Sequence, residues 1–158
     1  MAINKVEYGG NTLIDITDTT ATPESVESGK VFYQADGTRA IGTGATDTGW
    51  KNLTTSSGTW SYLRYRAIGK IVYVEGYASS LKYSGSSLTI VNTTNAIPSA
   101  YRPPNIKYAL GAVSGSRLAR FWINDNGTIG LDWTINVSNG SNYTTAAWHS
   151  FNTMYMID

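Results

Sequence analysis

The chain has 158 residues, enough for one full domain and a small appended module. Its formal net charge is +1 and only 15% of its residues are charged, which argues against a nucleic-acid or anionic-membrane partner. It has no cysteine, so disulfides and thiolate metal sites are excluded, and no apolar run is long enough for a transmembrane helix. The 16 glycines, 11 tyrosines and 5 tryptophans are typical of an all-β protein with many turns.

Residues 1–42 are predicted to form a small β-hairpin module with one short helix. Gly9-Gly10 and Asp36-Gly37 each separate two strand-like runs, as the turns of hairpins do. Thr22-Pro23-Glu24 predicts a helix start, and Gly29 its end after about two turns. The module has few apolar residues, so we expect it to pack on the surface of a partner.

The rest of the chain is predicted to be a linker and a larger β-domain. Residues 43–49 are rich in Gly and Thr and lack apolar anchors, which indicates a linker or a tightly turned neck. Residues 50–158 contain strand-like runs separated by turn signals about every 8–15 residues, a spacing typical of sandwiches. We therefore predict a mainly β protein, whose carboxy-terminal domain is an antiparallel β-sandwich or jelly roll of about eight strands.

Residues 120–133, RFWINDNGTIGLDW, give the strongest hairpin signal in the domain. Asn126-Gly127 lies between two strands, and both residue types tolerate positive φ. Alternation predicts one buried face, formed by Phe121, Ile123, Ile129, Leu131 and Trp133. The opposite face would expose Trp122.

Other strands carry apolar residues on both faces. In the last strand, one face would carry His149, Phe151 and Tyr155, and the other Trp148, Met154 and Met156. A sheet with one wet face should alternate more cleanly. We interpret the second apolar face as a contact with identical chains; the alternative is a larger monomeric core.

No residue pattern indicates catalysis, so a non-enzymatic protein without cofactor or metal is expected. The single histidine, His149, lies in an aromatic strand, and no second histidine or cysteine is present to build a triad or metal cage. A carboxylate pair such as Glu75 and Asp132 could support glycoside hydrolysis if the two met in space. A glycan depolymerase is therefore kept as a weak third hypothesis.

The remaining chemistry is that of a binding surface. An exposed aromatic ring can cover the apolar face of a sugar, while short polar side chains meet its hydroxyls. On this basis the candidate ligand-binding residues are Trp122, Asp132, Thr134, Asn136 and Tyr143. The alternative is that Trp122 fills a contact between subunits.

Two segments resemble the carboxy-terminal domains of bacteriophage tail fibres and receptor-binding proteins. They are residues 65–76, YRAIGKIVYVEG, and residues 97–104, IPSAYRPP, and residues 126–129, NGTI, follow in the order seen in that family. The first block, with residues 36–43, DGTRAIGT, is similar to the amino-terminal module of small phage structural proteins. The family has no agreed ligand residues, so none are transferred.

The resemblance implies a homotrimer on the virion. Residues 1–42 would attach to other virion proteins of the capsid, baseplate or tail, and the β-domain would face outward toward a host-surface glycan. The chain lacks a shaft, so a compact short fibre is expected rather than a long one. The alternative is a head fibre or capsid decoration with a structural role. The first ten residues lack a signal-peptide core, so we expect synthesis in the host cytoplasm, without nucleic-acid binding or membrane insertion.

Overall fold

The computed structural model describes residues 3–157, which divide into two compact units. The first unit ends at Asp47 and the second begins at Thr48. The protein is mainly β, with twelve strands in the described part of the chain. The strands are β1 (Lys5–Tyr8), β2 (Asn11–Asp15), β3 (Val31–Tyr33), β4 (Arg39–Ile41), β5 (Lys51–Asn52), β6 (Thr59–Ile68), β7 (Ile71–Leu81), β8 (Leu88–Val91), β9 (Lys107–Val113), β10 (Arg117–Ile123), β11 (Ile129–Asn136) and β12 (Ala147–Met156).

The first unit contains two separate antiparallel strand pairs, β1–β2 and β3–β4. Gly10 and Gly37 have φ of 80° and 81°, the left-handed conformation that glycine adopts without steric cost. None of the hydrophobic side chains described between residues 3 and 47 is buried. The unit therefore has no hydrophobic core within its own described residues.

The predicted two-turn helix is wrong. Only Pro23–Ser25 is helical, as a single 3-10 turn, and the chain is already extended at Val26. The start signal is real, because Ser25 Oγ accepts a hydrogen bond from the Thr22 backbone N–H (2.8 Å). No apolar helical face follows the turn, so nothing stabilises further helix.

The stretch at 43–49 contains the boundary between the two units. Gly44 donates its N–H to the Val26 carbonyl (2.8 Å), which ties it to the first unit. Thr48 donates its N–H to the Ala67 carbonyl (3.0 Å), which ties it to the second. Backbone pairing at both ends thus leaves only a few residues between the units.

The second unit is built on one eight-stranded antiparallel sheet. Its strand order is β5-β6-β7-β12-β9-β10-β11-β8. The prediction of about eight strands agrees with this sheet, but the strands form one continuous sheet instead of the two sheets of a sandwich. The sheet curls until its edges meet: Ser56, next to β5, donates its N–H to the Ile90 carbonyl of β8 (2.7 Å).

The core fills the concave side of this curled sheet. Phe121 of β10 stacks on Phe151 of β12, with ring centroids 4.3 Å apart. These strands flank β9, where Gly111 lies beneath the rings, and a Cβ there would come within 2.7 Å of the Phe121 ring. Phe121, Ile123, Ile129, Leu131, Phe151 and Tyr155 are buried as predicted. The predicted outer residues Met154 and Met156 are exposed.

The β10–β11 hairpin is correct, but its register contains a bulge. Phe121 pairs with Leu131 and Arg120 with Trp133, so Asp132 is the extra residue. The bulge reverses the alternation, and Trp133 is half-buried opposite Arg120 instead of deep in the core. In the turn only Gly127 has positive φ (81°), so a tight Asn-Gly turn with two left-handed residues is not formed.

Candidate ligand-binding face

The five predicted binding residues do not form one site. Each has a partner within the protein, and these partners lie on different parts of the second unit.

Trp122 is half-buried on the convex side of the sheet. Its indole N–H donates to Ser87 Oγ (3.1 Å), and its ring covers Gly130 of β11, its register partner. The ring can lie there because Gly130 has no side chain. The Trp122 ring therefore packs against the sheet surface and is not freely exposed.

Asp132 forms an ion pair with Arg120 of β10. Its Oδ2 accepts from Arg120 Nε (2.7 Å) and also from the Nη2 group of the same guanidinium. The guanidinium carbon lies 4.7 Å from the ring centroid of Tyr108 and 5.5 Å from that of Trp133. One carboxylate oxygen, Oδ2, is thus engaged by a cation that also contacts two aromatic rings.

Thr134 faces the core and cannot contact a ligand. The bulge at Asp132 turns it inward, where it is fully buried and lies 3.2 Å from His149 Nε2. His149 Nδ1 lies 3.0 Å from the Ala147 carbonyl, which can only accept, so Nδ1 carries the proton and Thr134 donates to Nε2. Burial lowers the pKa of the His149 imidazole, because desolvation disfavours its charged form.

Asn136 and Tyr143 meet around Arg117. Arg117 Nε donates to Asn136 Oδ1 (3.0 Å), and the guanidinium carbon lies 3.8 Å from the Tyr143 ring centroid. Asn136 Nδ2 also donates to Ser141 Oγ (3.1 Å). These contacts organise the loop after β11, and they leave little of the Asn136 amide for a ligand.

A second arginine cluster lies on the same convex face, on β6 and β7. Arg64 Nε donates to Glu75 Oε1 (2.7 Å), and its guanidinium carbon lies 4.6 Å from the Trp50 ring centroid and 4.9 Å from that of Tyr62. This arrangement of an arginine, a carboxylate and two aromatic rings matches that of Arg120 with Asp132. Both arginines are therefore ion-paired and stacked, which stiffens two parts of the face.

Two open grooves lie between the Arg64 cluster and the Arg120 cluster. The larger has a volume of about 520 Å³ and is lined by Trp50, Tyr73, Val74, Glu75, Asn152, Thr153 and Met154. The other is lined by Tyr62, Glu75, Gly76, Leu110, Ala112, Ser150, Phe151 and Asn152. Glu75 and Asn152, which are register partners on β7 and β12, line both grooves.

The larger groove could not be predicted from the sequence, because the residues that line it are spread from Trp50 to Met154. A signal was present: in β7, Tyr73, Glu75 and Tyr77 alternate with the buried Val72 and Val74, which marks them as one outer row. What was hidden is that β12 lies beside β7, because that pairing joins strands about 75 residues apart.

Apolar side chains continue along the convex face. Tyr108, Leu110, Met154 and Met156 are between 53% and 66% exposed. Solvent-exposed rows of this kind are uncommon on monomeric proteins and are typical of interaction surfaces.

The described residues contain no group of three or more His, Asp or Glu side chains placed to hold a metal ion. Over residues 3–157, no helix has the length and apolar character needed to cross a membrane.

A scan against models of known protein families gave no match, and no curated protein was found to be similar to the chain.

Proposed function

We propose that this protein is a non-enzymatic surface component of a bacteriophage virion, a trimeric short fibre that attaches the particle to a host-surface saccharide. The observation that carries the proposal is the composition of the first unit's surface. Most of its described large hydrophobic residues are exposed, among them Tyr8 at 78%, Leu13 at 62% and Tyr33 at 56%. A small module that buries no hydrophobic side chain of its own needs another protein surface to cover it.

The virion assignment comes from the motifs at 65–76 and 97–104. The role of residues 1–42 as an attachment module is consistent with their exposed apolar residues. The trimer is supported by the exposed apolar residues of the convex face that lie outside the two grooves, Tyr108 and Met156, since identical chains are the most economical cover for them. An outward-facing β-domain would leave the groove between Trp50 and Met154 accessible to saccharide.

Native mass spectrometry of the full chain at micromolar concentration tests the assembly. The expected mass is three times that of the 17.1 kDa chain. A monomer under these conditions would count against the trimer. Leu13→Ser and Tyr33→Ser in the first unit provide a matched comparison with Tyr108→Ser and Met156→Ser in the second, since all four residues are exposed. The pair that weakens the assembly identifies the unit that holds it together.

The second candidate is a head fibre or capsid decoration with a structural role. The same exposed apolar residues in the first unit favour it, because capsid attachment needs them equally. Electron microscopy of intact particles labelled with an antibody to this chain separates the two candidates. Label at the tail tip is expected for the receptor-binding role, and label confined to the capsid would support decoration.

The depolymerase hypothesis has less structural support than either. Glu75 is paired with Arg64, and Asp132 with Arg120, on different strand pairs. Degradation of a host polysaccharide that is abolished by Asp132→Asn would revive it.

A further inference from the structure

The groove between Trp50 and Met154 has the size and the mixed lining of a ligand site. Its volume of about 520 Å³ lies within the usual range of small-molecule sites. Trp50 and Tyr73 supply aromatic surface, and Met154 supplies a flexible apolar wall. Glu75 and Asn152 supply the polar groups, side by side on β7 and β12.

Both polar groups have unused hydrogen-bonding capacity. Arg64 contacts only Oε1 of Glu75, so Oε2 has no hydrogen bond within the described residues. The Asn152 side chain is exposed and has no hydrogen bond to any residue between 3 and 157. The groove therefore presents one acceptor and one amide beside two aromatic rings. This pairing suits a ligand that carries hydroxyls on one side and C–H groups on the other.

We propose that this groove binds a neutral oligosaccharide, with one sugar ring against Trp50 and Tyr73 and its hydroxyls at Glu75 Oε2 and the Asn152 amide. Glu75 is the only charged residue among those that line the groove, and Arg64 pairs with its Oε1. The remaining oxygen, Oε2, needs a donor, which a sugar hydroxyl supplies and the carboxylate of an acidic sugar does not. The site replaces the one predicted around Trp122, whose members are engaged elsewhere.

An oligosaccharide fits better than a single ring, because the second groove continues from the first. Glu75 and Asn152 line both, and the second groove adds Tyr62, Leu110 and Ser150. A second copy of this chain is a poorer occupant. It would bury Glu75 Oε2 and the Asn152 amide, and a buried polar group left without a hydrogen bond is destabilising. Sugar hydroxyls satisfy both.

This inference rests on the proposed host-attachment function, which names saccharide as the receptor class. The test uses the full chain and a panel of neutral and acidic oligosaccharides of one to four sugar rings, immobilised on an array. The best-binding member is then measured by titration calorimetry. We expect a neutral oligosaccharide to bind, its single-ring fragment to bind at least tenfold more weakly, and acidic analogues to bind at least tenfold more weakly.

Asn152→Ala and Trp50→Ala should each weaken that binding at least tenfold. Asn105→Ala is the matched control, because Asn105 is also exposed and makes no hydrogen bond within the described residues, but lies outside both grooves. Asn152→Ser is a conservative control for Asn152→Ala. It retains a polar side chain, so it should lose affinity only partly. Thermal unfolding of each variant checks that the fold is retained.

Several results would overturn the inference: no oligosaccharide binding, preferred binding of acidic members, or full binding by both groove variants. Its failure is separable from failure of the proposed function. If antibody labels the tail tip and the chain competes with phage adsorption equally well with and without Asn152→Ala, attachment stands and the groove is wrong. If the groove variants lose binding but the chain is absent from particles, the groove stands and the virion role is wrong.

Discussion

The indole ring of Trp122 lies over Gly130, its register partner on the neighbouring strand. A Cβ at position 130 would overlap the ring and would lie 2.6 Å from the Leu88 carbonyl oxygen. The hydrogen bond to Ser87 fixes the ring in this place. The tryptophan that alternation marks as outward-facing is therefore part of the packing of β8, β10 and β11.

Gly130→Ala should destabilise the second unit by about 1–3 kcal/mol, the usual cost of overpacking. The added methyl group meets both the Trp122 ring and the β8 backbone. Urea denaturation followed by far-UV circular dichroism measures the loss. The same substitution in a Trp122→Ala background should cost less, because one of the two clashes is removed. An equal cost in both backgrounds would show that the ring does not constrain this position.

Trp122→Ala distinguishes three roles for the side chain. A subunit seam predicts loss of the trimer, and a sugar platform predicts loss of adsorption. Packing over Gly130 predicts a loss of about 2 kcal/mol of stability, below the range for a fully buried aromatic residue, with assembly and adsorption retained. We expect the third result. Denaturation, native mass and adsorption measured on the same preparation separate the three.

Arg120 and Asp132 should show modest energetic coupling. Their side chains are 40% and 27% exposed, so solvent screens the pair, although the guanidinium also stacks on Tyr108. A double-mutant cycle with Arg120→Met and Asp132→Asn should give a coupling of about 1 kcal/mol. The coupling should decrease in 1 M salt. A coupling near zero at low salt would indicate that the pair is not formed in solution.

Stability should fall in mild acid because of His149. Its pKa is 6.5 in an unfolded chain and is lowered by burial in the folded one. Above pH 6.5 the imidazole is neutral in both states and the full stability is present. As the pH falls below 6.5, the unfolded chain takes up a proton that the folded chain resists, so the free energy of unfolding decreases until the folded pKa is reached.

Denaturation between pH 7.5 and 5 measures this decrease. His149 is the chain's only histidine, so the change in the free energy of unfolding in this pH range can be assigned to one side chain. His149→Gln should be less stable at pH 7.5 but should show a flatter profile in that window. An unchanged slope in the variant would assign the pH dependence to another group.

The second unit should fold without the first. Residues 48–157 contain all the buried hydrophobic side chains described, whereas residues 3–47 contain none. A chain beginning at Thr48 should therefore unfold cooperatively, with a midpoint close to that of the second unit in the full protein. Calorimetry of both proteins tests this. Loss of cooperative unfolding in the shorter chain would show that the second unit depends on the first.

The strand content, most strand positions and most of the core can be predicted from the amino-acid sequence. These follow from local alternation: each successive side chain points to the opposite face of a strand, so Phe121, Ile123 and Phe151 could be placed inside from spacing alone. Residues 22–25 likewise signalled a helix start. Its length was overestimated, because no apolar face lies beyond it to stabilise further turns.

Which residues lie together on one surface could not be predicted from the sequence and is seen only in the folded protein. One extra residue at Asp132 reverses the alternation, which buries Thr134 and leaves Trp133 half-buried at the margin of the core; no composition signal marks that bulge. The candidate groove depends on β12 lying beside β7, a pairing between distant segments. Local pattern fixes the face on which a side chain lies, whereas strand order, which depends on packing of the whole sheet, fixes its neighbours.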